Sequence, residues 1–146
     1  MRHWIFTSSK VLLDNECAVV TTKMHSFLST WLSHGAPVDA SFKLVLNCIL
    51  IVELHEHASS SGCSTDSLFR CIKLLETELQ CEWLNRKYVV LQHENTHQVM
   101  HADAIPKNIP LSALKAFHVL DANAYSANTQ ALPWISADTS WLKSLY

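Results

Sequence analysis

Apolar and polar positions alternate along the chain with two distinct periods. Beyond Ser64 the apolar residues Leu68, Ile72, Leu75 and Leu79 recur at helical spacing, so the sequence predicts a helix with one buried face, N-capped at Ser64 and running to about Cys81. An earlier helix is expected from a cap at Asp14. Cys17, Val20, Met24, Phe27 or Leu28, and Trp31 fall three and four apart, while Asn15, Thr21, Lys23, Ser26 and Thr30 fill the other side. This helix is expected to stop at His34-Gly35, with Gly35 in the left-handed position after the last turn and Pro37 barring continuation.

Between and around these helices the pattern shortens to strands. Trp4-Ile5-Phe6 reads as a first strand ending at Ser8-Ser9, and Ala40 to His55 as a hairpin turning near Asn47-Cys48. Tyr88 to Gln92 and Gln98 to His101 read as a second hairpin around Glu94-Asn95-Thr96. Leu111, Leu114 and Phe117, with Leu120 as a further candidate position, suggest a short helix after Pro106 and Pro110. The expectation is an α+β fold: a two-layer sandwich in ferredoxin-like βαββαβ order, with an antiparallel sheet and helices mainly on one face. Residues 1–146 are expected to form a single domain. Residues from about 122 to 146 are read as an irregular C-terminal extension, pinned to the body by Trp134 and Trp141.

Composition narrows the function classes. With 49% hydrophobic and 16% charged residues, the 146-residue chain is globular rather than disordered. A formal net charge of −2 and a pI near 6.5 provide no basic field for a nucleic-acid backbone, so no nucleic-acid partner is expected. The longest apolar run, Leu44 to Leu54, is interrupted by Asn47 and Glu53 and falls short of the roughly 20 residues that cross a bilayer, so no membrane insertion is expected. His3, Ser8, Ser9 and Lys10 break any signal-peptide core, and the five cysteines form no CxxC pair. A cytoplasmic protein with reduced thiols is the expectation.

Candidate chemistry centres on Ser59-Ser60-Ser61-Gly62-Cys63-Ser64-Thr65-Asp66-Ser67, which holds one of only two glycines. Cys63 would sit at the mouth of a helix, where free N–H groups and the positive end of the macrodipole favour an anion or the cysteine's own thiolate. Gly62, Cys63, Ser64 and Thr65 are therefore candidate ligand-binding residues, and Cys63, with His34 as a base, a candidate catalytic pair. The same residues also fit a tight turn and cap with Cys63 packed as a small apolar side chain. Arg86 is a candidate clamp for a carboxylate or phosphate, with pairing to Asp66 or Glu82 as the structural alternative. Nine histidines raise the question of a metal. His55 and His57 lie two apart, and His93, His97 and His101 share the second hairpin, but no third and fourth ligand fall at zinc spacing, so neither metal nor cofactor is expected.

Several landmarks carry a family resemblance: His34-Gly35-Ala36-Pro37, Ala40-Ser41-Phe42, Ser61-Gly62-Cys63-Ser64-Thr65-Asp66-Ser67, Asn85-Arg86, Ala127-Asn128-Thr129 and Ser140-Trp141. Together they resemble a small bacterial family, mostly from the Bacteroidetes, often labelled "ABC transporter ATPase". That family typically has Ile at Thr65 and Asp-Arg at Asn85-Arg86, and an apolar run where Gln130-Ala131-Leu132-Pro133 stands here. The label implies a phosphate-binding loop ending in Gly-Lys-Ser/Thr. Neither Gly35 nor Gly62 precedes a lysine, so the residues predict no ATP binding or hydrolysis. Three functions remain open at this level: a module binding a small anionic ligand or a protein partner at the Gly62-Cys63-Ser64 helix start, a thiol-dependent enzyme or redox protein using Cys63, and an accessory subunit of a transporter.

Overall fold

A computed structural model of the chain describes residues 2–55, 58, 60–129 and 131–146. Its first half is a helix-covered antiparallel sheet. Strands β1 (His3–Thr7), β4 (Ala40–Val45) and β5 (Ile49–Leu54) are ordered β1-β5-β4. Helices α1 (Asp14–Thr30) and α2 (Gly62–Leu79) cover one face, and the two-stranded hairpin of β2 (Leu32–Ser33) and β3 (Ala36–Pro37) follows α1. Because successive strand residues point to opposite faces, Leu50, Val52 and Leu54 pack with Trp4 and Phe6 under the helices, against Val20, Met24, Leu68, Ile72 and Leu75. Ile49 and Ile51 point the other way, with Ile5 beside them.

That other face is covered by a second sheet. Strands β6 (Tyr88–His93), β7 (Thr96–His101), β8 (His118–Leu120) and β9 (Trp134–Ser136) are ordered β7-β6-β8-β9, and every pairing is antiparallel. Val90, Leu120 and Trp134 meet Ile49 and Ile51 between the sheets. Val89, Leu91 and Val119 face outward onto a cover of short helices: α3 (Ile105–Asn108) and the 3-10 turns Leu111–Ala116, Ala137–Thr139 and Trp141–Leu145. β5 is thus enclosed on both sides, and all six of its residues are buried. This is why Ile49–Leu54 reads as an almost unbroken apolar run rather than an alternation.

The α+β class and antiparallel pairing agree with the sequence reading, and α1 and α2 form with the first sheet the expected helix-on-sheet unit. The first three long strands also follow the ferredoxin-like order. The strand after α2 departs from it: β6 pairs with β7 and β8, and no pairing joins it to β1. Val89, Val90 and Leu91 are apolar on both faces of β6, and stacking sheet on sheet buries both, with β8 and β9 supplying partners from far along the chain. The segment read as an irregular extension accordingly contains an outer strand, β9, with Trp134 in it. Leu142 is fully buried, whereas Trp141 is half-exposed.

Local boundaries shift for identifiable reasons. Leu13, not Asp14, is the N-cap of α1, and its N–H donates to Glu16 Oε1 at 3.0 Å. α1 ends at Thr30, before Gly35. His34 and Gly35 instead form the two-residue turn between β2 and β3, with φ of 51° and 80°, the left-handed pair that such hairpins require. Gly62 has no positive φ, and a Cβ placed on it would meet nothing within 4 Å, so the backbone there does not need glycine.

Candidate functional site

The start of α2 closes on itself. Ser61 is the N-cap: its Oγ accepts the Ser64 N–H at 3.1 Å, and Ser64 Oγ accepts the Ser61 N–H at 2.7 Å. The cap therefore lies three residues before the expected one, and Ser64, buried, is its reciprocal partner. The Ser61 N–H also donates to Ser33 Oγ at 3.1 Å, and Trp31 Nε1 donates to the Ser64 carbonyl at 2.8 Å, which fixes the helix start against the β2–β3 hairpin. Gly62 and Cys63 are exposed in the first turn, Thr65 is half-buried, and His34 is exposed at the hairpin tip. Among the described residues no side-chain base hydrogen-bonds the Cys63 thiol, and no hydrogen bond joins it to His34. Glu56, His57 and Ser59 lie outside the described residues.

The other cysteines are packed rather than presented. Burial pushes the Cys48 thiol up to about 12 and raises those of Cys17, Cys71 and Cys81 as well. All five cysteines are free.

A cavity of about 460 Å³ lies elsewhere, along β1. Residues His3 to Thr7 all line it, five in succession. A cavity lying over one face of a strand would meet alternate residues, so this one runs along the strand's edge. β1 is an edge strand, paired to β5 alone. The Leu54 N–H donates to the Arg2 carbonyl and the Ser8 N–H to the Cys48 carbonyl, each at 2.8 Å. The alternation of an antiparallel ladder then turns the backbone groups of Trp4 and Phe6 inward and those of His3, Ile5 and Thr7 outward into the cavity. The facing wall is Tyr88–Val90 of β6, which β8 leaves unpaired because it meets β6 at Leu91 and Gln92 alone.

One end of the cavity is the connection between α2 and β6, which contributes Trp83, Leu84, Asn85 and Arg86. A single carboxylate positions it: Glu76 Oε2 accepts the N–H groups of Trp83 at 2.7 Å and Leu84 at 3.0 Å. Ser9, just past β1, ties the same connection through its Oγ to the Glu82 N–H at 2.9 Å and through its N–H to the Glu82 carbonyl at 2.8 Å. Burial acts to raise the Glu76 carboxyl, but the two N–H groups and Lys73 outweigh it and hold the group below the usual carboxylate value.

Two donors of this cavity's lining residues have no partner of their own among the described residues. Arg86 is exposed and, among the described residues, makes no salt bridge or hydrogen bond; neither Asp66 nor Glu82 pairs with it. Trp83 is 2% exposed, and its Nε1 has no hydrogen-bond acceptor among the described residues. The lining carboxylate, Asp121, already accepts the Asn123 N–H at 3.1 Å. A buried donor without an acceptor costs about 1–3 kcal/mol, a cost that a bound acceptor removes. The arrangement suits recognition of an acceptor-bearing anion; among the described residues it sets no nucleophile beside a base.

Of the sequence candidates, then, Arg86 belongs to the cavity, whereas Gly62, Cys63, Ser64, Thr65 and His34 do not line it. Trp83, Glu76 and the β1 edge were missed, since no local pattern reports an unpaired indole or an unpaired edge. The remaining histidines are dispersed. His55 Nδ1 lies 2.7 Å from Asp39 Oδ1, His97 Nε2 donates to the Leu46 carbonyl at 3.0 Å, and His93 stacks on Phe117. Among the described residues no three His, Cys, Asp or Glu side chains gather as metal ligands, and no helix is long and apolar enough to cross a membrane. Comparison with protein-family models, curated proteins and solved structures finds no match.

Proposed function

We propose that the protein is a binding module whose ligand carries a carboxylate, received in the cavity between β1 and β6 by Arg86 and Trp83. The observation behind this reading is a guanidinium lacking a counter-ion at a cavity of ligand size, on the connection that also carries a buried indole N–H lacking an acceptor. Arg86 supplies two parallel donors matched to a carboxylate, and its connection is held by Glu76 before any ligand arrives, so little ordering cost remains. Gly62, Cys63, Ser64 and Thr65 are read as the cap that fixes α2.

The test is ligand-observed NMR with N-acetylglutamate, succinate and benzoate against the wild type, Arg86→Ala and Trp83→Phe. The expected result is millimolar or tighter binding of at least one carboxylate that weakens about tenfold in each variant. Binding indifferent to both substitutions, or none at all, overturns the proposal.

A further inference from the structure

The carboxylate reading says what charge the cavity takes; the strand beside it says what shape. The outward groups of His3, Ile5 and Thr7 give β1 alternating N–H donors and carbonyl acceptors over its length, about 16 Å for five residues. Ligands of small size do not match such a row, whereas an extended main chain does, group for group. This edge is also where the fourth strand of a ferredoxin-like sheet would pair, and β6 instead turns away into the second sheet. Exposed edges normally carry a device that discourages pairing, such as proline, a bulge or an inward charge. His3-Trp4-Ile5-Phe6-Thr7 has no proline or lysine and pairs to β5 in unbroken register.

We infer that the ligand is an extended segment of another protein, which adds to the free edge of β1 as a further strand and sets an acidic side chain against Arg86. This deepens the carboxylate-binding reading and rests on it. Main-chain bonds to β1 supply affinity, as in other strand-addition complexes, and Arg86 with Trp83 supplies selection among sequences. The acid is specified by charge, because Arg86 is the cation lining the cavity and has no counter-ion among the described residues. Alternate side chains of the added strand would face Phe69 on the helix side and Val90 and Leu120 on the sheet side, all three lining residues.

The experiment is selection from a displayed library of random ten-residue peptides, flanked by linkers at both ends, on the purified full chain. Selected peptides are then synthesised with blocked termini. The expected outcome is one-to-one binding with slowed amide exchange at His3, Ile5 and Thr7, while Trp4 and Phe6, already paired, stay unchanged. Affinity should fall about tenfold in Arg86→Ala, and equally when the peptide's acid is replaced by its amide, with no further loss when both are changed. Thr7→Pro removes one outward donor while sparing the ladder to β5, and should weaken binding several-fold. Arg86 is exposed, so its variant remains folded and informative even if the proline variant does not.

A library that yields no binder, or binders whose protection lies away from β1, overturns the inference. So does concentration-dependent protection of the β1 amides in the free protein, which would assign the edge to a second copy of the chain. If the peptides fail while N-acetylglutamate, succinate or benzoate still binds through Arg86, only the strand proposal falls. If both fail, the carboxylate reading falls with it.

Discussion

The two ends of α2 are held by hydrogen bonds to backbone N–H groups, and they do so over very different distances. At its start, Ser61 and Ser64 satisfy each other across a single turn. At its end, Glu76 reaches seven and eight residues ahead to Trp83 and Leu84, and the connection it fixes carries Arg86. The start is conspicuous in sequence because its two capping serines are neighbours, although Trp31 and Ser33 also anchor it from a distance. The end is inconspicuous because its partners are distant, yet it leaves a lining cation without a counter-ion and an indole donor without an acceptor. A recognisable motif here marks local closure, and the unfinished bonding lies where no motif is visible.

Removing the long-range anchor should have the largest effect. Glu76→Ala deprives two N–H groups of a charged acceptor and is expected to cost about 3 kcal/mol in urea denaturation, with loss of carboxylate binding. An unchanged midpoint would show that the connection holds itself.

Acid should separate the two ends without mutation. The folded Glu76 carboxyl lies below its unfolded value, so the native state binds fewer protons than the unfolded state, and stability rises with pH through that window. The contribution is present above about pH 4.3, the unfolded value, and is lost as pH falls through the lower folded one. Glu53 shifts the same way: burial opposes its ionisation, but the Tyr125 hydroxyl at 2.7 Å and Lys43 at 3.0 Å outweigh burial. Because Glu53 also contributes to global stability, the discriminating readout is local. Amide exchange at Trp83 and Leu84, corrected for intrinsic rate, should accelerate on acidification before that at Ser64, whose acceptor is a hydroxyl that does not titrate.

Ser61→Ala should cost about 1 kcal/mol, the usual loss of an N-cap, and should leave carboxylate binding intact. A loss of binding would return the site to the helix start. The smallest effect belongs to Cys63. As the exposed cysteine it should be alkylated by iodoacetamide before Cys17, Cys48, Cys71 and Cys81, while Cys63→Ala shifts stability by no more than about 0.5 kcal/mol and binding not at all.

What sequence conveyed follows the same division. The stripe Leu68, Ile72, Leu75 and Leu79 was legible because helix period alone determines it, and all four are buried. The cap was misplaced by one turn because Ser61 and Ser64 are both good caps three residues apart, and only the fold shows which is outside the helix. His34-Gly35 was read as a helix end because left-handed residues serve both helix ends and tight hairpins. The destination of β6 was not legible: Tyr88–His93 reads the same whether it joins β1 or pairs with strands built from the tail. Arg86 stood out as a lone cation beside a turn, but Trp83 resembled any core tryptophan, since an unmatched N–H exists only in three dimensions.

The enclosure of β5 bears on how the molecule comes apart. Leu50, Val52 and Leu54 belong to the core under the helices, and Ile49 and Ile51 to the core between the sheets, so one strand is a wall of both. β6 does the same for the next pair of cores, through Val90 on one side and Val89 and Leu91 on the other. No layer can melt without stripping a face from its neighbour, so heating should show one cooperative transition, with calorimetric and van't Hoff enthalpies equal, rather than an early loss of the tail.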